Sequence, residues 1–312
     1  MTIPQRTLAL GTLPFGTSVD EETSFRILDR FVELGGSVLD TADNYAFWAD
    51  GATGDESETV IGAWMAARGT RERVRLSTKG GARPTVPGTG LETAEGLSPK
   101  ALAAAVEGSL RRLGTDHIDV YWAHVEDRSV PLDETVGALA GLVESGTAGA
   151  AGLSNHALWR AERARALAGG RPRSTHLQYR YSYLQPRLDM PLPSAAHVHA
   201  APELLDYVRA EEDLRLWCYS PLLSGGYTRP DVAVPAAYDH PGTPRRLAVL
   251  REVAEETGAT ANQVVLAWLL DHDPPVLPIV GVSSVAQIEE AMAALPLRLD
   301  AEQRRRLDEA GR

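Results

Sequence analysis

At 312 residues, 44% hydrophobic and 23% charged, the chain has enough apolar material for a large core and too little net charge to stay disordered. Its net charge of -11 is spread along the sequence, with Arg304 to Arg306 the only tight basic run, which argues against a nucleic-acid or anionic-membrane partner. The single cysteine, Cys218, excludes an internal disulfide; Met1 to Leu10 hold no apolar stretch of signal length, and no segment approaches the ~18 apolar residues that span a bilayer, so a soluble cytoplasmic protein is expected.

Short β-rich apolar runs alternate with amphipathic helical stretches from end to end, the pattern of parallel strands joined by crossover helices. The strands read, in order, as Leu8 to Phe15, Ser37 to Ala42, Val74 to Lys79, Ile118 to His124, Ala148 to Ser154, Thr175 to Tyr179, Leu214 to Ser220 and Val276 to Val280. Helical signals lie between them. Phe25, Leu28 and Val32 share a face ahead of Gly35, Ser98-Pro99 offers a cap and a first-turn proline, and Thr260 with Gln263 resembles a capping box. Eight such repeats close most simply into one (β/α)8 barrel spanning residues 1–312, with a short extra helix at the C-terminus. An open doubly wound sheet would need a Gly-x-Gly-x-x-Gly turn after the first strand, and Gly11 with Gly16 does not make one. The proline-rich stretch from Tyr183 to Ala201 is too long for an ordinary connection and is expected to shape a pocket.

Active sites of such barrels lie at the C-terminal strand ends. Three successive strands each end there in a polar residue: Asp40, Lys79 and His124, with Tyr45 on a loop just past Asp40. This set suits proton delivery to a carbonyl. A phenol of ordinary pKa about 10 is a weak acid, and a neighbouring ammonium favours its phenolate, so Lys79 is expected to lower the pKa of Tyr45. Asp40 would keep Lys79 charged, and His124 would position the substrate oxygen. Taken singly, each residue could be structural: an ion pair, a rim histidine, a packing tyrosine. Lysine scarcity adds weight, since only Lys79 and Lys100 interrupt an otherwise all-arginine choice of base.

Leu39-Asp-Thr-Ala-Asp-Asn-Tyr45, Ser77-Thr-Lys-Gly80, Asp119-Val-Tyr-Trp-Ala-His124, Gly152-Leu-Ser-Asn155, Gln178 and Tyr219-Ser-Pro-Leu222 resemble, in order, the signatures of the aldo-keto reductases. The resemblance runs from about Leu8 to Leu295. It implies an NAD(P)H-dependent oxidoreductase reducing an aldehyde or ketone, with Tyr45 as general acid and Asp40, Lys79 and His124 completing the catalytic four. It further implies Ser154, Asn155 and Gln178 at the nicotinamide carboxamide, Tyr219 stacked on the ring, and Ser220, Leu222 and Ser224 along the pyrophosphate. Gly281, Ser283, Gln287 and Glu290 would serve the adenosine end, where a helix N-terminus can take a phosphate. The bland alternative there is a capping box of Ser284 and Gln287. Ser284 or Gln287 stands where many relatives carry a base, and Ala291 replaces a common asparagine, so NADPH is expected on family precedent with NADH left open.

The partner implied is a small-molecule carbonyl substrate, with Phe47, Trp48 and Trp122 as candidate pocket walls. The oligomeric state is left open. No metal is expected, although His197, His199 and Glu203 have metal-like spacing. Two further readings stand beside the main one: a nicotinamide-binding regulatory subunit with little turnover, and a barrel hydrolase using Glu126 or Asp127.

Overall fold

The computed structural model describes residues 3–4, 6–187, 189–229 and 231–311. Eight parallel strands close into a barrel in sequence order: β1 (Ala9–Gly11), β2 (Val38–Asp40), β3 (Arg75–Gly80), β4 (Ile118–Ala123), β5 (Ala148–Ser154), β6 (His176–Arg180), β7 (Arg215–Tyr219) and β8 (Val276–Gly281). β1 closes the cylinder by pairing with both neighbours, Ala9 standing opposite Val38 on one side and Ile279 on the other. All eight expected strands are present. The first is shorter than Leu8 to Phe15, because the chain leaves β1 through tight turns after Gly11.

Parallel strands covered by helices are buried on both faces, which is why they read as continuous apolar runs. Residues of one parity, among them Ala9, Val38, Val120, Trp122, Trp217, Leu277 and Ile279, fill the cylinder. Residues of the other parity, such as Leu10, Leu39, Leu76, Tyr121, Leu177 and Leu216, pack outward against helices. Those helices are α1 (Glu21–Glu33), α2 (Glu56–Arg68), α3 (Pro99–Leu113), α4 (Leu132–Glu144), α5 (Leu158–Leu167), α6 (Pro202–Ala210), α7 (Gly242–Thr257), α8 (Ala261–Leu270), α9 (Val285–Met292) and α10 (Ala301–Glu309).

Local signals set several helix ends. Ser98 caps α3 by accepting from the Ala101 N–H, with Pro99 in the first turn, and Thr260 with Gln263 forms the complete capping box of α8. The buried stripe of α1 is Ser24, Ile27, Leu28 and Phe31, so only Leu28 of the expected Phe25, Leu28 and Val32 face is fully buried. Gly62 lets α2 lie against α3, since a Cβ there would come within 2.1 Å of the Arg112 carbonyl oxygen. Two helices, α7 and α8, bridge β7 to β8, and α10 is the extra C-terminal helix. Among the described residues no helix is long and apolar enough to cross a membrane.

Candidate active site

Asp40 ends β2, Lys79 is the penultimate residue of β3, and His124 directly follows β4, so three neighbouring strands deliver them to one sector of the mouth. Lys79 is fully buried and spends its three N–H donors on Asp40 Oδ2 at 2.6 Å, the Thr41 carbonyl at 2.7 Å and the Tyr45 hydroxyl at 3.0 Å. Asp40 is held in turn: its Oδ1 accepts from Ser77 Oγ at 2.8 Å and from Gln178 Nε2 at 3.1 Å. Ser77 Oγ also accepts from Trp122 Nε1 at 2.7 Å. The Tyr45 and His124 rings meet edge to face with centroids 5.8 Å apart.

The electrostatics differ from expectation at Tyr45. Burial pushes its pKa up, Lys79 pulls it down, and Asp40 pushes it up again; the balance lies above the ordinary phenol value. The Lys79 pull is therefore real but outweighed. This direction keeps the phenol protonated at neutral pH. Lys79 keeps its charge, because Asp40 and Tyr45 more than offset the burial that would lower its pKa. His124 is held well below the usual imidazole range by burial first and then by Lys79 and His197, so it is neutral, and its Nδ1 is buried without a partner among the described residues.

Next to this sector, Ser154 ends β5 and Gln178 lies on β6. Asn155, in the left-handed region at φ 58°, has a fully engaged amide. Its Nδ2 donates to Ser154 Oγ at 3.0 Å and the His124 carbonyl at 3.4 Å, while its Oδ1 accepts from the Tyr219 hydroxyl at 2.7 Å and the Val198 N–H at 3.2 Å. Beyond Tyr219 the chain enters positive φ at Ser220, Leu223, Ser224 and Gly225, a curled loop that also holds Leu222. Gly281 ends β8 with open space where a Cβ would stand. Gln287 Oε1 accepts from both the N–H and the hydroxyl of Ser283, at 2.7 and 3.1 Å, whereas Ser284 caps α9 by accepting from the Gln287 N–H. The capping alternative is thus half realised. Glu290 accepts from Thr260 Oγ and Asn262 Nδ2 and ties α9 to α8.

Of the expected pocket walls, Phe47 and Trp48 form an edge-to-face pair at 5.1 Å, with Trp48 57% exposed. Trp122 does not join them. It lies two residues before His124 on the same strand face, one layer down, where it fills the cylinder against Trp217 and His176. His197 and His199 do not converge with Glu203: His197 lies on the Tyr219 ring at 5.2 Å, and His199 Nε2 pairs with Gln185. Among the described residues no cluster of three or more His, Cys, Asp or Glu side chains could hold a metal.

Glu126 and Asp127 are consumed by the scaffold. Glu126 accepts from the Ala157 N–H and pairs with Arg128 and Arg160, and Asp127 accepts from the Leu97 and Ser129 N–H groups. Burial pushes both acids up, yet these donors bring each below its ordinary value, the opposite of what a glycosidase acid requires. Two buried groups escaped the sequence reading. Arg180 ends β6 two residues after Gln178, hence on the same face; Asp43, two residues before Tyr45, is buried near the Glu95 carboxyl, with neither carboxylate oxygen hydrogen-bonded among the described residues.

A closed eight-stranded α/β barrel thus carries an Asp, Lys, Tyr and His set at its mouth, joined by hydrogen bonds and a ring contact. The Aldo/keto reductase family model matches residues 7–312. An uncharacterized oxidoreductase, YrpG, of Bacillus subtilis is 32% identical, covering 97% of this chain and 91% of its own. Norsolorinic acid reductase stcV of Emericella nidulans is 31% identical over 95% of this chain and 76% of its own, and the aldo-keto reductase yakc [NADP(+)] of Schizosaccharomyces pombe is 29% identical over 96% and 88%. The chain belongs to the aldo/keto reductase family.

Proposed function

We propose that this protein reduces the carbonyl of a small aldehyde or ketone, with NADPH as the preferred cofactor and Tyr45 as the general acid. One observation carries the reading. Every N–H of the Lys79 ammonium is committed, one of them to the Tyr45 oxygen, so the phenol accepts from Lys79 and its own proton is left to point elsewhere. A carbonyl oxygen gaining negative charge is the acceptor such a proton suits. Neutral His124 can donate one further hydrogen bond to that oxygen.

The donor set fits a nicotinamide. Gln178 spends its Nε2 on Asp40 and keeps its carbonyl oxygen to accept, while Ser154 Oγ accepts from Asn155 and keeps its hydroxyl proton to donate. One acceptor and one donor side by side match a primary carboxamide. Asn155, its amide saturated, acts as a positioning residue that fixes Ser154 and Tyr219. Tyr219 offers the flat ring, the curled positive-φ loop of Ser220, Leu222 and Ser224 a turn that suits a diphosphate, and Gly281, Ser283, Gln287 and Glu290 the adenosine end. Bound NADPH would supply the hydride. The fission-yeast relative is named for NADP(+), which supports NADPH over NADH.

Oxidation of NADPH, followed by fluorescence against a panel of aldehydes and ketones, tests this. Tyr45→Phe is expected to lower kcat about 10²- to 10⁴-fold while NADPH binds as before. A wild type that binds NADPH but reduces nothing would favour the regulatory-subunit reading.

A further inference from the structure

Arg180 is 5% exposed, yet among the described residues no carboxylate pairs with it. Its Nε donates to the Tyr238 hydroxyl at 3.0 Å, its Nη1 donates to Ser220 Oγ at 3.1 Å, and the guanidinium lies over the Tyr238 ring at 5.8 Å. All of these partners are neutral. The contrast with the rest of the molecule is chemical: buried Arg165 is clasped by both Glu211 and Asp213, and Arg112 by the buried Glu58. A buried guanidinium is costly without an anion, and arginine is the residue whose planar fork matches a phosphate or carboxylate edge.

Its neighbours add no compensating charge. His197 and His199 flank it, both pushed down to about 4 by burial first and by the Arg180 charge second, and are therefore neutral. Ser220, which Arg180 touches, opens the loop in which Leu223, Ser224 and Gly225 also adopt positive φ. Non-glycine residues held there cost free energy and cluster where a loop must present its backbone to a ligand. A positive charge with no carboxylate partner among the described residues thus lies at the barrel mouth, between the ends of β6 and β7, beside a curled loop.

We infer that Arg180, with the Ser220 hydroxyl, forms an anion-binding site that takes a phosphate or carboxylate oxygen pair at the barrel mouth. Two sources of that anion are chemically equivalent: the diphosphate of the dinucleotide, or an acidic group on the carbonyl substrate. The first source rests on the function proposed above; binding of free pyrophosphate does not.

The test uses the full chain as wild type, Arg180→Met and Arg180→Lys, with inorganic pyrophosphate and NADPH titrated calorimetrically at two salt concentrations. Circular dichroism checks that each variant is folded. The expected result is pyrophosphate binding by the wild type that weakens with salt, a Kd raised about tenfold or more in Arg180→Met, and partial recovery in Arg180→Lys. A parallel rise for NADPH assigns the anion to the cofactor. If instead NADPH binding holds while the KM for 4-carboxybenzaldehyde rises about tenfold relative to benzaldehyde, the anion is the substrate's. Unchanged binding of pyrophosphate and NADPH, together with an unchanged ratio of the two KM values, would overturn the site and leave Arg180 a packing residue. A wild type that binds pyrophosphate through Arg180 but does not bind NADPH would sink the proposed function and leave the anion site standing.

Discussion

Two buried cations stand on the same barrel rim and are treated oppositely. Lys79, between β2 and β4, is locked to a carboxylate, a carbonyl and a phenol; Arg180, where β6 meets β7, has among the described residues two hydroxyls and a ring. A charge whose counterion is built in is part of the machinery, present before any ligand arrives. A charge left with neutral partners has its electrostatic capacity in reserve. Charge compensation, rather than burial, separates the sector proposed to perform the chemistry from the sector proposed to receive a ligand.

The comparison breaks most easily at Lys79. Lys79→Met strands the buried Asp40 carboxylate and should lower stability by about 3 to 5 kcal/mol and carbonyl reduction by about 10²-fold or more. Urea unfolding and turnover measure the two effects. Arg180→Met, by contrast, orphans no carboxylate and should shift unfolding by within about 1 kcal/mol. Equal losses in the two variants would erase the distinction.

Asp43 sharpens the same contrast from the acidic side. Burial first, then the Glu95 carboxyl and Glu58, raise its pKa well above the ordinary value, while Arg83 pulls the other way. A raised folded-state pKa means that its favourable contribution is full below the unfolded value and is lost as pH rises through the folded one. Asp43→Asn, neutral at every pH, should therefore gain about 1 kcal/mol over the wild type at pH 8 and little at pH 4, read from urea midpoints. A gap that widens towards acid would contradict the sign.

The smallest expected effect is an absence. Because His124 is held neutral, kcat/KM for reduction should show no inflection near pH 6.5, and because the Tyr45 pKa is raised, activity should fall only above about pH 10. A clear break at pH 6.5 would show that His124 titrates.

Much of this was legible in the sequence, for physical reasons. Parallel strands are apolar on both faces, so Asp40, Lys79 and His124 stood out as polar residues at strand ends, and their shared sector follows from strand order alone. The Trp122 position was misread because the period of two that brings His124 to the rim puts Trp122 on the same face but one layer lower. The direction of the Tyr45 shift was not readable, since desolvation depends on what covers the ring. Arg180 went unnoticed because a strand-end arginine in an arginine-rich chain looks like half of an ordinary ion pair. Only three dimensions show that the other half is missing.

Deuterium transfer decides whether a hydride reaches a carbonyl carbon under the control of Tyr45: the protein is given NADPH deuterated at the nicotinamide C4 hydride position and an aromatic aldehyde, and the alcohol is examined by mass spectrometry. Deuterium is expected on the carbinol carbon with wild-type protein and almost none with Tyr45→Phe at matched cofactor occupancy. Labelled alcohol formed at the wild-type rate by Tyr45→Phe would contradict it.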